Sequence, residues 1–338
     1  MNILFIYLII IFLINLMIDK YKLILSNSGL AHQSYVNNSV PLTGGIFCVV
    51  PTFYLFLPGY SFFIYCFILL FILGLLSDLN ILTSPKKRFF LQSIIILIFS
   101  ITSELQVTPT KINFFDNIIQ NNVLGYIFTT FCLMILVNGS NFIDGLNGLL
   151  LGYFLLILFF LFKLDLIIFL DLTNEKYINF ILVIFLLLIL NLLNKLFLGD
   201  SGAYSLSLLI GFILIKIYNS SETISPYFII MLLWYPCFEN LFSIIRKTYY
   251  RKKNPLEPDT EHFHQKLFTY CRIKFKMSDL KSNILTSLII LLLNLIIFYF
   301  ASKAISNTIY QITLISVSIF TYLIFYFIIH KTLKKRTL

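Results

Sequence analysis

The sequence predicts an all-α, polytopic integral membrane protein with about 11 transmembrane helices. Hydrophobic residues make up 59% of its 338 residues, charged residues only 12%, and the mean hydropathy is +0.92. A water-soluble domain of this length needs far more charge at its surface. In addition, the apolar residues come in long runs that short polar segments separate. Both observations exclude a soluble globular protein.

The apolar runs are the predicted transmembrane helices, and together they form one membrane domain over residues 1–338. Several runs are shorter than the roughly 20 residues that a perpendicular helix needs to cross a bilayer. Polar residues beside them are therefore expected within the membrane thickness. The second run is the weakest, because it contains Pro51 and Pro58. The predicted spans lie near residues 2–18, 44–58, 61–76, 89–103, 122–137, 148–162, 178–193, 201–218, 226–245, 282–300 and 308–330.

The distribution of Lys and Arg predicts the orientation. With the N-terminus outside and the C-terminus cytoplasmic, 20 of the 25 Lys and Arg residues lie on the cytoplasmic side, as the positive-inside rule requires. The net charge of +10 is then mostly a topology signal, and no nucleic-acid partner is expected. This orientation predicts a plasma (inner) membrane protein with its active site on the cytoplasmic face. The cytoplasmic motif segments lie near 19–43, 77–88, 138–147, 194–200 and 246–281.

Three clusters of polar residues interrupt the apolar sequence, at 138–148 (NGSNFIDGLNG), 197–202 (FLGDSG) and 255–264 (PLEPDTEHFH). Polar groups at membrane depth are costly unless they are paired or hydrated, so such clusters mark functional sites by default. Three of them in one membrane protein predict one shared polar site.

The carboxylates near these clusters suit a magnesium-bound diphosphate. Asp78 ends one predicted span, Asp200 begins another, and Arg88 lies close to Asp78 in the sequence. Mg²⁺ prefers one or two carboxylates, completed by phosphate oxygens and water. Neighbouring glycines let the backbone approach phosphates, and free N–H groups at a helix start favour anions. The plainer alternative is that Asp200 only caps its helix.

The two histidines of the third cluster, His262 and His264, point about 200° apart on a helix and face one way only in extended backbone. No cysteine and no third ligand lie near them in the sequence, so a zinc site is not expected.

Taken together, the motifs resemble those of the polyprenyl-phosphate N-acetylhexosamine-1-phosphate transferases, the MraY/WecA-like membrane enzymes. The resemblance covers about residues 30–275. It implies transfer of a sugar 1-phosphate from a UDP-sugar to a polyprenyl phosphate, with release of UMP, to initiate a lipid-linked cell-surface glycan. The motifs that carry it are 40–46 (VPLTGGI), 74–78 (GLLSD), 88–92 (RFFLQ), 138–148, 197–202 and 258–264 (PDTEHFH).

The same resemblance implies the cofactor and the partners. The cofactor is Mg²⁺, with Mn²⁺ as a substitute. The partners are UDP-N-acetylhexosamine, polyprenyl phosphate (undecaprenyl phosphate in a bacterium) and membrane lipids, and a homodimer stays open.

The resemblance also implies the roles of single residues. Asp78 and Asp200 are then the catalytic residues, Asp200 is the metal ligand, and Phe197 stacks on uracil. The other substrate-binding residues are Arg88, Asn141, Asp144, Asn147, Arg246, His262 and His264.

The chain departs from the family pattern at several positions. Ser77 replaces the first aspartate of the usual pair, Asn147 replaces a frequent second aspartate, and Gln265 replaces the last histidine of a triplet. These departures favour the WecA-like surface-glycan branch over the peptidoglycan branch. Glu239 stands where relatives often carry Asp, and it is either a buried structural acid or part of the cavity.

Two other functions stay open. A polytopic secondary transporter would also have broken helices, glycines and intramembrane acids. It would predict two repeated halves, whereas the clusters at 138–148 and 197–202 differ in composition. The second alternative is an inactive relative that binds lipid phosphate, which Ser77 keeps open.

Overall fold

The computed structural model describes residues 2–21, 40–56, 59–250 and 260–335, and within them the chain is helical without a β-strand. The prediction of an all-α protein is therefore confirmed. A 3₁₀ turn (Leu166–Leu170) follows the seventh helix, and a π-helical turn (Arg246–Tyr250) extends the tenth. The α-helices are α1 (Asn2–Tyr21), α2 (Gly44–Phe56), α3 (Ser61–Asp78), α4 (Pro85–Thr102), α5 (Asn113–Ile119), α6 (Asn122–Ile143), α7 (Leu149–Lys163), α8 (Asn174–Leu192), α9 (Gly199–Asn219), α10 (Pro226–Ile245), α11 (Phe263–Phe275), α12 (Asp279–Ala301) and α13 (Thr308–Lys334).

Each of the eleven predicted spans overlaps one of these helices, while α5 and α11 are additional. In the described residues, seven helices are long and apolar enough to cross a membrane: α3, α6, α8, α9, α10 with its π-helical turn, α12 and α13. Shorter apolar stretches lie in α1, α2 and α7. Helix α4 is not among them, and three cations occupy its first turn, at positions 86–88. The chain is thus a polytopic membrane protein, and eleven crossings stay a prediction.

Helix α9 lies at the centre of the bundle and is almost wholly buried. Helices α2, α3 and α6 pack around it. A close approach occurs at Gly74 of α3, where a Cβ atom would overlap the Cα of Ser201. A residue larger than glycine at position 74 would therefore push the end of α3 away from the start of α9.

Hydrogen bonds between helix ends show that the polar motifs share one end of the bundle. The end of α3 contacts the start of α9, the segment after α6 contacts the start of α12, and Gly148 donates to Asn191 near the end of α8. At the opposite end, the side chain of Asn219 donates to the carbonyl of Gln106. We call the first of these the polar end of the bundle.

Several helices begin with a side-chain cap from the preceding residue. Ser84, Asn121, Thr173 and Ser225 each accept a backbone N–H two or three residues further on. Helix α9 differs, because the residue before it, Leu198, has no side chain that can cap. Its free N–H groups are satisfied by a carboxylate from another helix, and this brings the candidate site together.

Candidate active site

Asp78, the last residue of α3, caps the N-terminus of α9. Its Oδ1 accepts the backbone N–H of Asp200 at 2.8 Å, and its Oδ2 accepts that of Ser201 at 3.1 Å. A carboxylate is favourable there, because helix N-termini carry unpaired N–H groups and a partial positive charge. Gly199 has φ +74° and lies against Asp78, so a side chain at 199 would be strained and would collide with the carboxylate.

The carboxylate of Asp200 receives donors from three helices on one oxygen. Its Oδ2 accepts the Ser77 hydroxyl at 2.6 Å, the Arg88 guanidinium at 2.7 Å and the Tyr204 hydroxyl at 3.0 Å. Arg88 also donates to the Ser77 hydroxyl at 2.5 Å. The side chains of Arg88 and Asp200 keep 25% and 22% of their surface exposed. The site is therefore open to a ligand, and Ser77 belongs to its hydrogen-bond network.

Asp144 follows the last residue of α6 and adds a third carboxylate at this place. It is partly exposed, although protein surrounds it closely. Burial, together with the charges of Asp200 and Asp78, raises the pKa of Asp144 well above its usual range, and the backbone N–H of Gly199 offsets part of this rise. Like charges that raise the pKa of a carboxyl in this way indicate a site that a cation would stabilise.

The donor set fits a magnesium ion that is completed by a ligand. Within the described residues, no group of three or more His, Cys, Asp or Glu side chains is arranged to hold a metal, and the protein alone does not form a closed cage. In the same residues, every hydrogen bond to the Asp200 carboxylate goes to Oδ2, so Oδ1 remains available. One carboxylate oxygen plus phosphate oxygens and water is a set that Mg²⁺ accepts.

Asn141 and Asn147 lie on either side of Asp144, in different surroundings. Asn141 is partly exposed on the last turn of α6. Asn147 is buried: its backbone N–H donates to Asn283 at 2.8 Å and its side chain donates to Asn194 at 3.2 Å. These bonds tie the start of α7 to α12 and to the end of α8. The structure thus gives Asn147 a packing role, and substrate binding by either asparagine stays a prediction.

Phe197 lies in a small apolar cluster with Val40 and Leu42, and only 5% of its surface is exposed. Its backbone N–H donates to Pro41 at 2.8 Å, and its carbonyl accepts the N–H of Gly44 at 3.0 Å. These contacts fix the segment before α2 against the start of α9. Stacking of Phe197 on uracil stays a prediction, and it requires a neighbour to move aside.

The two histidines of the third motif meet on a buried glutamate. His262 is the N-cap of α11 with extended backbone (ψ 152°), and His264 lies in the first turn, so the two rings stack at 5.5 Å. The nitrogen Nδ1 of His262 lies 3.0 Å from Glu239 Oε2, while the other carboxylate oxygen accepts the N–H of Phe263 at 3.0 Å. The divergence expected on a helix does not occur, because only one of the two histidines is helical. Binding of substrate by these histidines stays a prediction.

The histidine cluster (Glu239, His262 and His264) is shielded from solvent, because all three side chains are buried. Burial lowers the pKa of His264, and Glu239 offsets part of this effect. The ring of Phe142 contacts His262 with 4.7 Å between centroids. Phe142 lies two residues before Asp144, so it joins the histidine cluster to the carboxylate site.

Arg246 is buried at the end of α10, where it holds the segment that leads to α11. Its guanidinium donates to the carbonyl of Glu261 and, at 3.0 Å, to the hydroxyl of Tyr326 on α13. Substrate binding by Arg246 stays a prediction. The part of the third motif at 255–259 lies outside the described residues.

The sequence of residues 60–218 matches the family model described as Glycosyl transferase family 4. The match covers just under half of the chain. The chain is 28% identical over 213 residues to a Bacillus subtilis (strain 168) protein named probable undecaprenyl-phosphate N-acetylglucosaminyl 1-phosphate transferase, a match that covers 59% of this chain and 55% of the relative. It is 29% identical over 229 residues to the Thermotoga maritima undecaprenyl-phosphate alpha-N-acetylglucosaminyl 1-phosphate transferase, with 67% of each chain covered. The family resemblance seen in the motifs is confirmed.

The glycosyl transferase family 4 segment contains the whole carboxylate site, from Ser77 and Asp78 to Asp200. The histidine cluster and Arg246 lie beyond its end. The two parts are nevertheless in contact through Phe142, so the segment after residue 218 completes the polar end of the bundle.

Sequence reasoning missed Tyr204 and the asparagines that hold Asn147. Tyr204 follows Asp200 by four residues, and side chains at that spacing are neighbours on a helix. That spacing is a signal in the sequence that would have found Tyr204. The pairing of Asn147 with Asn283 has no such signal, because 136 residues separate them.

Proposed function

We propose that this chain transfers a sugar 1-phosphate, N-acetylhexosamine 1-phosphate, from a UDP-sugar to a polyprenyl phosphate and releases UMP. The observation that carries the proposal is the carboxylate site: Asp200 presents one oxygen beside Arg88, within the segment that matches glycosyl transferase family 4. The names of the two relatives support the substrate class. The product would initiate a lipid-linked surface glycan.

The chemistry needs positioning more than it needs a protein nucleophile. An oxygen of the polyprenyl phosphate is already anionic, and it attacks the phosphorus that carries the sugar while the bond to UMP breaks. Arg88 is a partly exposed cation beside Asp200, suited to hold a diphosphate oxygen. When bound, magnesium (or manganese in its place) would neutralise charge on the diphosphate, with Asp200 Oδ1 as its protein ligand.

Direct attack in a single step is supported by two features of α3. Serine at position 77 cannot form an aspartyl-phosphate, and its hydroxyl already donates to Asp200. Asp78 accepts an N–H group of α9 on each oxygen, so its hydrogen bonds serve to cap that helix. Its proposed contribution is to fix the start of α9, and with it Asp200.

The proposed orientation places the polar end of the bundle at the cytoplasmic face of the inner membrane. With eleven spans and the N-terminus outside, 20 of the 25 Lys and Arg residues are cytoplasmic. In this orientation the UDP-sugar would reach the polar end of the bundle from the cytoplasm, and the polyprenyl phosphate would reach it from the bilayer.

The test uses the full chain in lipid nanodiscs with UDP-N-acetylglucosamine, UDP-N-acetylgalactosamine, Mg²⁺ and undecaprenyl phosphate. We expect UMP release and a lipid-linked sugar product, both of which require the lipid and the cation. UDP-sugar movement across proteoliposomes without UMP release would support the transporter instead. Lipid binding without turnover of either sugar would support the inactive relative. A phosphosugar attached covalently to the protein in the absence of lipid would contradict direct attack.

A further inference from the structure

Tyr204 is a buried tyrosine whose hydroxyl donates to Asp200 Oδ2 at 3.0 Å. The residue is 2% exposed and lies on the buried helix α9, so its ring contributes to packing and its hydroxyl to the hydrogen bond. A buried hydroxyl that donates to a carboxylate orients that carboxylate, because a charge-assisted hydrogen bond is short and directional.

The two oxygens of Asp200 differ in the number of hydrogen bonds they accept, because all three donors contact Oδ2. A carboxylate has about four acceptor positions, two on each oxygen. Ser77, Arg88 and Tyr204 therefore saturate Oδ2, and only Oδ1 can accept a further partner. A cation at Asp200 would be bound through one oxygen, at a position that the three donors set.

The hydrogen bond from Tyr204 to Asp200 is less easily broken than those from the other two donors. Arg88 is long, partly exposed and able to turn toward an anionic ligand, and Ser77 belongs to a different helix. Tyr204 lies on the same helix as Asp200, one turn further along, so relative movement of the helices does not break its bond. It is the donor that would hold the Asp200 carboxylate when Arg88 engages substrate.

We infer that Tyr204 is a positioning residue that fixes Oδ2 of Asp200 and so presents Oδ1 to a divalent cation. The inference rests on the proposed function for the cation role of Asp200, and it adds a residue to which that function assigned nothing. Outer partners of metal ligands commonly change cation affinity when their hydrogen bond is removed.

The test is Tyr204→Phe, which removes the hydroxyl and keeps the ring. Mn²⁺ affinity is measured by electron paramagnetic resonance of the free ion, on the full chain in nanodiscs, with and without UDP as the phosphate ligand. We expect about tenfold weaker Mn²⁺ binding. The Mg²⁺ concentration for half-maximal UMP release should rise similarly, while the KM for UDP-sugar at saturating Mg²⁺ changes little. The matched control is Tyr177→Phe, a buried tyrosine whose hydroxyl donates to the carbonyl of Leu158 at 3.1 Å, away from the site.

Asp200→Asn separates the inference from the proposed function. If Asp200→Asn loses Mn²⁺ binding while Tyr204→Phe binds as the unmodified protein does, the inference is overturned and the proposed function stands. If Asp200→Asn still binds Mn²⁺ normally, both fail. If Tyr204→Phe does not purify as a folded protein while Tyr177→Phe does, the hydroxyl is structural and the positioning role is overturned.

Discussion

The carboxylate site and the histidine cluster are both built around an acid that accepts N–H groups at the start of another helix or carries a partner from one, yet the two sites differ in access and charge balance. Asp200 is 22% exposed on its side chain and has two other carboxylates nearby. Glu239 is fully buried, and each of its oxygens has a donor or a histidine beside it. Removing a buried acid whose charge is balanced within the protein destabilises the fold, because its partners are left buried without a counterpart. An acid that keeps an open oxygen among like charges is suited to bind a cation, as the proposed function requires.

The largest effect is expected at Asp200, the partly exposed acid of the carboxylate site. Asp200→Asn should lower turnover by orders of magnitude, because a neutral amide is a poor magnesium ligand, and it should leave insertion and folding normal. The control is Asp279→Asn: Asp279 also begins a helix and pairs with an arginine, Arg272 at 3.2 Å, but this pair is exposed and belongs to a different helix start. UMP release and size-exclusion profiles of both variants check this. Near-normal activity of Asp200→Asn with unchanged Mg²⁺ dependence would contradict the assignment.

The second comparison is within the carboxylate site. Asp78→Asn should abolish activity, because the amide cannot accept both N–H groups of α9 and Asp200 loses its position. Ser77→Ala removes one of three donors to Asp200 and should retain most activity. UMP release by the two variants, at equal amounts of inserted protein, decides this. A Ser77→Ala variant as inactive as Asp78→Asn would show that the hydroxyl is essential.

The third prediction concerns Glu239, the buried acid of the histidine cluster. Glu239→Ala should cost about 3 kcal/mol or more of folding free energy, because it leaves His262 and the Phe263 N–H buried without their acceptor. Thermal unfolding can be followed by the fluorescence of Trp234, the only tryptophan of the chain. Glu222→Ala, at an exposed acid in a loop, is the control. Lost activity with an unchanged melting temperature would instead assign Glu239 to the cavity.

The smallest expected effect concerns the electrostatic strain at Asp144. Folding raises the pKa of the Asp144 carboxyl, so the folded state favours its protonated form. The contribution of this carboxyl to the free energy of unfolding is therefore lost as pH rises through the folded-state pKa. Asp144→Asn stays neutral, so without divalent cations its melting temperature should exceed that of the unmodified protein by a few degrees at pH 8 and by less at pH 6. Melting curves at both pH values check this. A difference that is the same at both pH values would contradict the electrostatic cause.

The helices of this protein were largely predictable, because long apolar runs allow few other structures in a membrane. The two helices that were not predicted as elements, α5 and α11, are short or carry several charges, so hydropathy gives no signal for them. The π-helical turn after α10 was likewise invisible in the sequence.

The sequence by itself determined the membrane class, the positions of the long helices and the motifs at 74–78, 88–92, 138–148 and 197–202 that lie in the segment matching glycosyl transferase family 4. Only the tertiary structure decided that Asp78 caps α9, that three donors occupy one oxygen of Asp200, and that Phe197 clusters with Val40. The physical reason is that hydropathy depends on local composition, whereas these contacts join residues more than a hundred positions apart or depend on rotamers. Which oxygen of an acid stays open is set by the packing of neighbouring helices.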